Sequence, residues 1–172
     1  MCENLCCAYA SEYNVPARVI RLTQTFGPGV DYQDGRVFAE FASCVIEGKD
    51  ILLHTKGETK RSYLHTEDAA EAILTVLVSG KTGEAYNAAN ESTYCSIKEM
   101  AELAAGLDPA HRIKVRTDED ADLRGYAPVL RMNMDTSRIR DLGWLPKHDL
   151  RTTFMEMIDD MRKRPENDPR VI

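Results

Sequence analysis

The chain has 172 residues, room for one domain with a usable core, and 43% hydrophobic against 29% charged residues exclude a disordered or fibrous polymer. The net charge of −6 comes without any clustered basic face, which argues against nucleic acid as a partner. No apolar run reaches the roughly 20 residues of a membrane span, so no membrane role is expected and the cytoplasm is the expected location.

The predicted elements alternate. Cys2, Leu5, Cys6, Tyr9 and Tyr13 recur at helical spacing, and Asn14-Val-Pro16 ends that helix. Residues 17–23 read as a strand buried on both faces, because Val19 and Ile20 are consecutive. Gly27-Pro28-Gly29 then turns the chain sharply, just past a strand's carboxyl end, where open α/β sheets bind ligands. Val37, Phe38, Phe41, Ala42, Val45 and Ile46 make an amphipathic helix that stops at Gly48. Residues 51–55 read as a strand and 61–65 as an extended segment. Thr66 is expected to cap the next helix, with Glu67 and Asp68 in its first turn, where the helix dipole favours negative charge.

That helix carries Ile73, Leu74, Val76 and Leu77 and ends near Gly80. A short strand over 85–89 leads to Ser96-Ile-Lys-Glu99, a capping box that opens a helix through Leu107. Residues 113–116 suit a strand. The stretch 117–130 has no clear period, its acidic run at 118–122 reads as a solvated loop, and loops of that length often carry function. A short helix over 136–142 closes at Gly143. Asp149 caps a last helix whose Leu150, Phe154, Met157, Ile158 and Met161 face inward, and residues 165–172 form a tail. Five cysteines at irregular spacing and four scattered histidines (His54, His65, His111, His148) offer neither a disulfide framework nor a metal set, so no metal is expected.

Two arginines stand out. Arg61 lies between the extended Gly57-Glu-Thr-Lys segment and a capped helix, where backbone can hold its guanidinium from both sides; a planar fork of donors suits paired phosphate oxygens. Arg131, in Leu130-Arg-Met-Asn-Met-Asp135, follows the long loop. Arginines from two segments could clamp a diphosphate, although an arbitrary arginine more commonly pairs with a carboxylate or extends into solvent.

Four motifs now stand in order: Arg21-Leu-Thr-Gln-Thr-Phe-Gly-Pro-Gly29, Gly57 through Asp68, Tyr86-Asn-Ala-Ala-Asn90, and Asp135-Thr-Ser-Arg-Ile with Leu142-Gly-Trp-Leu-Pro146. Together they resemble the NAD-dependent epimerase/dehydratase family, extended short-chain dehydrogenases acting on nucleotide-diphosphate sugars. The resemblance implies an α/β fold: the carboxy-terminal part of an extended Rossmann-type enzyme, over residues 1–164, with the last sheet strands and the small α/β substrate domain. It places the family's phosphate-binding arginine on Arg61 and implies substrate contacts from Gln24, Arg131, Val37 and Phe41. It also puts Thr23 and Thr25 near the nicotinamide of NAD or NADP.

Departures are present, with Gln24 for the usual Asn, Ser62 for Asp and Phe26 for Tyr. Ahead of the Arg21 strand, where the family carries them, the Tyr-x-x-x-Lys pair and the glycine-rich cofactor loop are not found. If Glu3 matches the glutamate that follows that lysine, the lysine falls upstream of Met1. The chain is therefore expected to supply no catalytic residue, to be inactive alone and not to retain the cofactor. The complete enzyme is expected to oxidise a sugar ring hydroxyl transiently and to form a homodimer through a helix bundle of which residues 1–13 are the tail. Two alternatives remain: a non-catalytic sugar-nucleotide-binding or interaction protein, and a reductase of the same superfamily with a non-nucleotide substrate.

Overall fold

Short strands alternate with capped helices along most of the chain, and a computed structural model describes residues 1–110, 112–118 and 128–164. Its helices are α1 (Cys2–Tyr13), α2 (Val37–Glu47), α3 (Thr66–Ser79), α4 (Ile97–Ala105), α5 (Ser137–Arg140) and α6 (Leu150–Lys163). Its strands are β1 (Val19–Leu22), β2 (Gln24–Phe26), β3 (Ile51–Leu53), β4 (Lys60–His65), β5 (Ala85–Ala88), β6 (Asn90–Ser96), β7 (Val115–Thr117) and β8 (Arg131–Met132). The fold is mixed α/β with parallel pairing. Most of the acidic run and the whole of the tail lie outside the described residues.

The strand expected over 17–23 is β1, and a second strand that was not expected, β2, follows it after one residue. β1 pairs in parallel with β5, whereas β2 pairs in parallel with β4, so the chain passes from one sheet to another at Thr23. Thr23 donates its N–H to Ala88 O at 3.1 Å and its hydroxyl to Ser62 O at 2.6 Å, one bond to each sheet. β4 is the centre of the second sheet, flanked by β2, antiparallel β6 and parallel β8. β3 and β7 form a separate parallel pair.

Two cores follow from the pleat of β4, whose successive side chains point to opposite faces. Tyr63 joins a cluster with α2, α4 and α6, built around Phe26, Phe38, Phe41, Met100, Phe154 and Met157. Leu64, its neighbour, joins a second cluster with Ala72, Val76, Tyr86, Ile139 and Trp144. Phe26 stacks on Phe38 at 4.6 Å and meets Phe154 edge-on at 5.0 Å. Burying each such ring contributes roughly 1.5–3 kcal/mol of transfer free energy. By contrast α1 buries none of its residues, and Leu5, Tyr9 and Tyr13 lie exposed along it.

Local chemistry explains the helix ends. Gly48 takes φ 68° after α2, the left-handed conformation that glycine adopts without strain. The Ser96 hydroxyl accepts from Glu99 N while the Glu99 carboxylate accepts from Ser96 N, completing the capping box. Asp149 accepts from Thr152 N at 2.7 Å. One cap differs from expectation: His65, not Thr66, caps α3, its Nδ1 accepting from Glu67 N at 3.1 Å. Thr66 is already the first helical residue, and its hydroxyl turns to Pro28 O instead.

Candidate functional site

Strand register decides which side chains share a face. Arg61 lies beside Cys95 of β6 and Met132 of β8, and Tyr63 beside Gln24 of β2. Pleat alternation therefore gathers Gln24, Arg61, Tyr63, Cys95 and Met132 on one side of the second sheet. The approach to Arg61 is fixed by Gly57, at φ 65°, whose carbonyl accepts from Lys98 N at 3.1 Å. A Cβ there would fall 2.9 Å from that same nitrogen, so the close approach of loop to α4 requires glycine.

Arg61 itself is half-buried. Its Nη1 donates to Gln24 Oε1 at 3.4 Å, and its Nε is buried without any hydrogen-bond partner. Among the described residues, no carboxylate lies within ion-pair distance of this guanidinium. Because the Gln24 carbonyl faces Arg61, its amide nitrogen is left to donate elsewhere. The Tyr63 hydroxyl is a second buried, unpartnered polar atom on this face. Burial drives the Tyr63 phenol well above its usual range, with Cys95 adding to the rise and Arg61 opposing it. Burial, then the Glu99 charge, pushes the Cys95 thiol up to about 11, so it stays a neutral thiol.

The other expected contacts are distributed differently. Arg131 is exposed and lies in register with Lys60, so its side chain leaves the sheet on the face opposite to that of Arg61. Phe41 is 1% exposed, a core residue with no surface to offer, whereas Val37 opens α2 in contact with solvent. Thr23 is buried with its hydroxyl bound to Ser62 O, and the half-buried Thr25 donates its own to Thr23 O at 3.0 Å.

Sequence reasoning missed a second constellation. Asp68 has no exposed surface, and its carboxylate accepts from Lys147 N, His148 N and the His148 ring Nδ1, the last at 3.0 Å. Trp144 Nε1 donates to the carbonyl of the same residue. This anchoring brings the His148 ring onto His65, with centroids 4.0 Å apart. Burial, then His148, holds His65 below the usual imidazole range. A signal did exist: an aspartate two places inside a capped helix, beside a Trp-x-x-Lys-His segment. No spacing rule joins two segments so far apart in the chain. Elsewhere a cleft of about 340 Å³, lined by Arg21, Ala85, Asn87, Asp135 and Arg138, opens beside the β1–β5 pair without touching Arg61. Its Arg21 is already paired to Glu3 at 2.5 Å.

Comparison with known proteins bears on this arrangement. The profile described as "NAD dependent epimerase/dehydratase family" matches residues 1–89. UDP-glucuronic acid decarboxylase 6 of Arabidopsis thaliana is 28% identical over 164 residues, covering 94% of this chain and 46% of that protein. dTDP-D-glucose 4,6-dehydratase of Mus musculus is 26% identical over 162 residues, covering 93% and 45% respectively. The structure of UDP-glucose 4-epimerase from Thermotoga maritima, solved with UDP-glucose, superposes with a TM-score of 0.77 at 22% identity, over 94% of this chain and 50% of that one. The chain spans about half the length of the curated relatives it matches.

Proposed function

Because the chain belongs to the NAD-dependent epimerase/dehydratase family, we propose that it is the part that binds a nucleotide-diphosphate sugar in an enzyme that transiently oxidises a ring hydroxyl. One observation carries the reading: a half-buried guanidinium with no carboxylate partner among the described residues and a desolvated Nε. An uncompensated buried charge is costly. A diphosphate would complete it, with two phosphoryl oxygens matching the guanidinium fork.

On this reading Arg61 holds the diphosphate and the Gln24 amide donates to a neighbouring oxygen. Cys95, a neutral thiol, and Met132 line the wall. Arg131, on the opposite face of the sheet, is not assigned to the diphosphate, and Val37 is left as the contact for the base. Enzymes of this kind use NAD to take a hydride from a ring carbon and later return it. The Thr23 and Thr25 hydroxyls already donate to backbone carbonyls, which leaves only their lone pairs for such a cofactor. On this reading the acid–base work falls to residues other than those named here.

The exposed Leu5, Tyr9 and Tyr13 of α1 suit burial in a homodimer of the complete protein. Among the described residues no helix is long and apolar enough to cross a membrane; a cytoplasmic location is part of the proposal. Calorimetric titration tests the substrate class. UDP- and dTDP-sugars should bind the complete protein and the corresponding nucleosides should not. Equal affinity for uridine and UDP would remove the diphosphate from the reading.

A further inference from the structure

His65, at the end of β4, His148, just before α6, and Glu156, within α6, bring one ligand-capable atom each to within 4.8 Å of one another. The His65 side chain has no exposed surface, and its Nε2 lacks a hydrogen-bond partner although Glu156 Oε2 lies 3.2 Å away. The His148 ring gives its Nδ1 to the Asp68 carboxylate at 3.0 Å, which fixes the tautomer and leaves Nε2 as a lone-pair donor. On the open side Glu67 Oε2 lies 3.6 Å from that Nε2. Three carboxylates therefore surround two imidazoles, while Lys147, the cation of this segment, is engaged by Glu71 at 2.5 Å.

We propose that His65, His148 and Glu156 bind a divalent transition metal of the zinc type, with Asp68 orienting His148 and Glu67 closing the exposed side. Two imidazole nitrogens and a carboxylate oxygen form a borderline donor set suited to Zn²⁺, and such sites keep a further position open. Binding requires two local adjustments. The stacked rings, 22° from parallel, splay so that both lone pairs converge. His65 also transfers its proton from Nε2 to Nδ1 and gives up the cap it provides to Glu67 N. The site lies at the opposite end of β4 from Arg61 and is independent of the sugar-nucleotide reading.

Titration of the metal-free protein with Zn²⁺, followed by calorimetry and thermal unfolding, tests the proposal. We expect one equivalent to bind and raise the unfolding temperature, and Co²⁺ to give visible bands of four-coordinate nitrogen and oxygen ligation without thiolate charge transfer. Glu156→Gln, at a half-buried position that tolerates an amide, and His148→Gln should each weaken binding about 100-fold, and Asp68→Asn about 10–100-fold. Arg61→Met and a Cys2/Cys6/Cys7→Ser variant should bind as before. Absence of Zn²⁺ binding overturns the proposal. So does binding that survives Glu156→Gln and His148→Gln, or that disappears with the α1 cysteines.

Discussion

Replacing Arg61 by methionine should move stability and binding in opposite directions. The side chain carries a buried Nε without a partner and, among the described residues, hydrogen-bonds the Gln24 carbonyl alone, at 3.4 Å. A desolvated, unsatisfied donor costs about 1–3 kcal/mol. Methionine has comparable reach and no polar group, so Arg61→Met should gain about 1 kcal/mol, or about 2–4 °C for a domain of this size. The ligand side loses. Two charge-assisted hydrogen bonds at roughly 1.5–3 kcal/mol each, discounted for the guanidinium's partial exposure, leave about 2 kcal/mol, or roughly 30-fold in Kd. Arg61→Lys should fall between, keeping the charge and losing the fork. Differential scanning calorimetry without ligand and isothermal titration with UDP give the two numbers. A variant that melts lower yet binds UDP undiminished would show that Arg61 serves the fold alone, and the substrate assignment would fall with it.

Asp68→Ala should cost about 3–5 kcal/mol in urea unfolding, because it strands two backbone N–H groups and the His148 ring in a buried site; a loss under about 1 kcal/mol would mean that solvent reaches them. Glu99 is held below its ordinary 4.5 by the Ser96 amide first, then the Ser96 hydroxyl and Lys60, and Asp149 below 3.8 by the Thr152 amide. Carboxyls lowered in the folded state stabilise fully above their unfolded values and lose that contribution as pH falls through the folded ones. Buried His65, lowered from 6.5, should make the urea midpoint begin to fall below about pH 6.5, and these carboxyls should add a steeper decline below about pH 4.5, the ordinary Glu99 value. Ser96→Ala should cost about 1 kcal/mol at neutral pH and make the acid decline shallower; an unchanged acid limb would exclude the capping box as its source. Iodoacetamide near neutral pH should modify the exposed Cys2 and Cys7 and spare Cys95, whose thiol is raised to about 11; mass spectrometry showing Cys95 modified as fast as Cys2 would mean that β6 opens readily.

What could be read from the sequence was the chemistry of near neighbours. Ser96 with Glu99, Asp149 with Thr152, and Gly48 after an apolar stripe each announce a helix end within four residues, and each is found. β2, β6 and β8 were not legible. Asn90-Glu-Ser-Thr has no apolar alternation, and that strand exists because β4 offers it a partner. For the site, the glycine turn and the motif around Arg61 pointed to an anion-binding residue. That Arg131 leaves the opposite face depends on its register with Lys60, and the burial of Phe41 depends on α4 and α6. The meeting of His65 with His148 depends on a buried aspartate acting at a distance along the chain, which no periodicity records.

Thr23 stands where one continuous backbone leaves the β1–β5 ladder and enters the β2–β4 ladder. Rotation of one layer against the other would turn the torsion angles of Thr23 and of Ala89, which joins β5 to β6 in the same way. The Thr23 amide and hydroxyl, fastened to different layers, set how stiff its joint is. A molecule gripped by Arg61 on one layer would therefore be held at a fixed angle to whatever stands beyond the other.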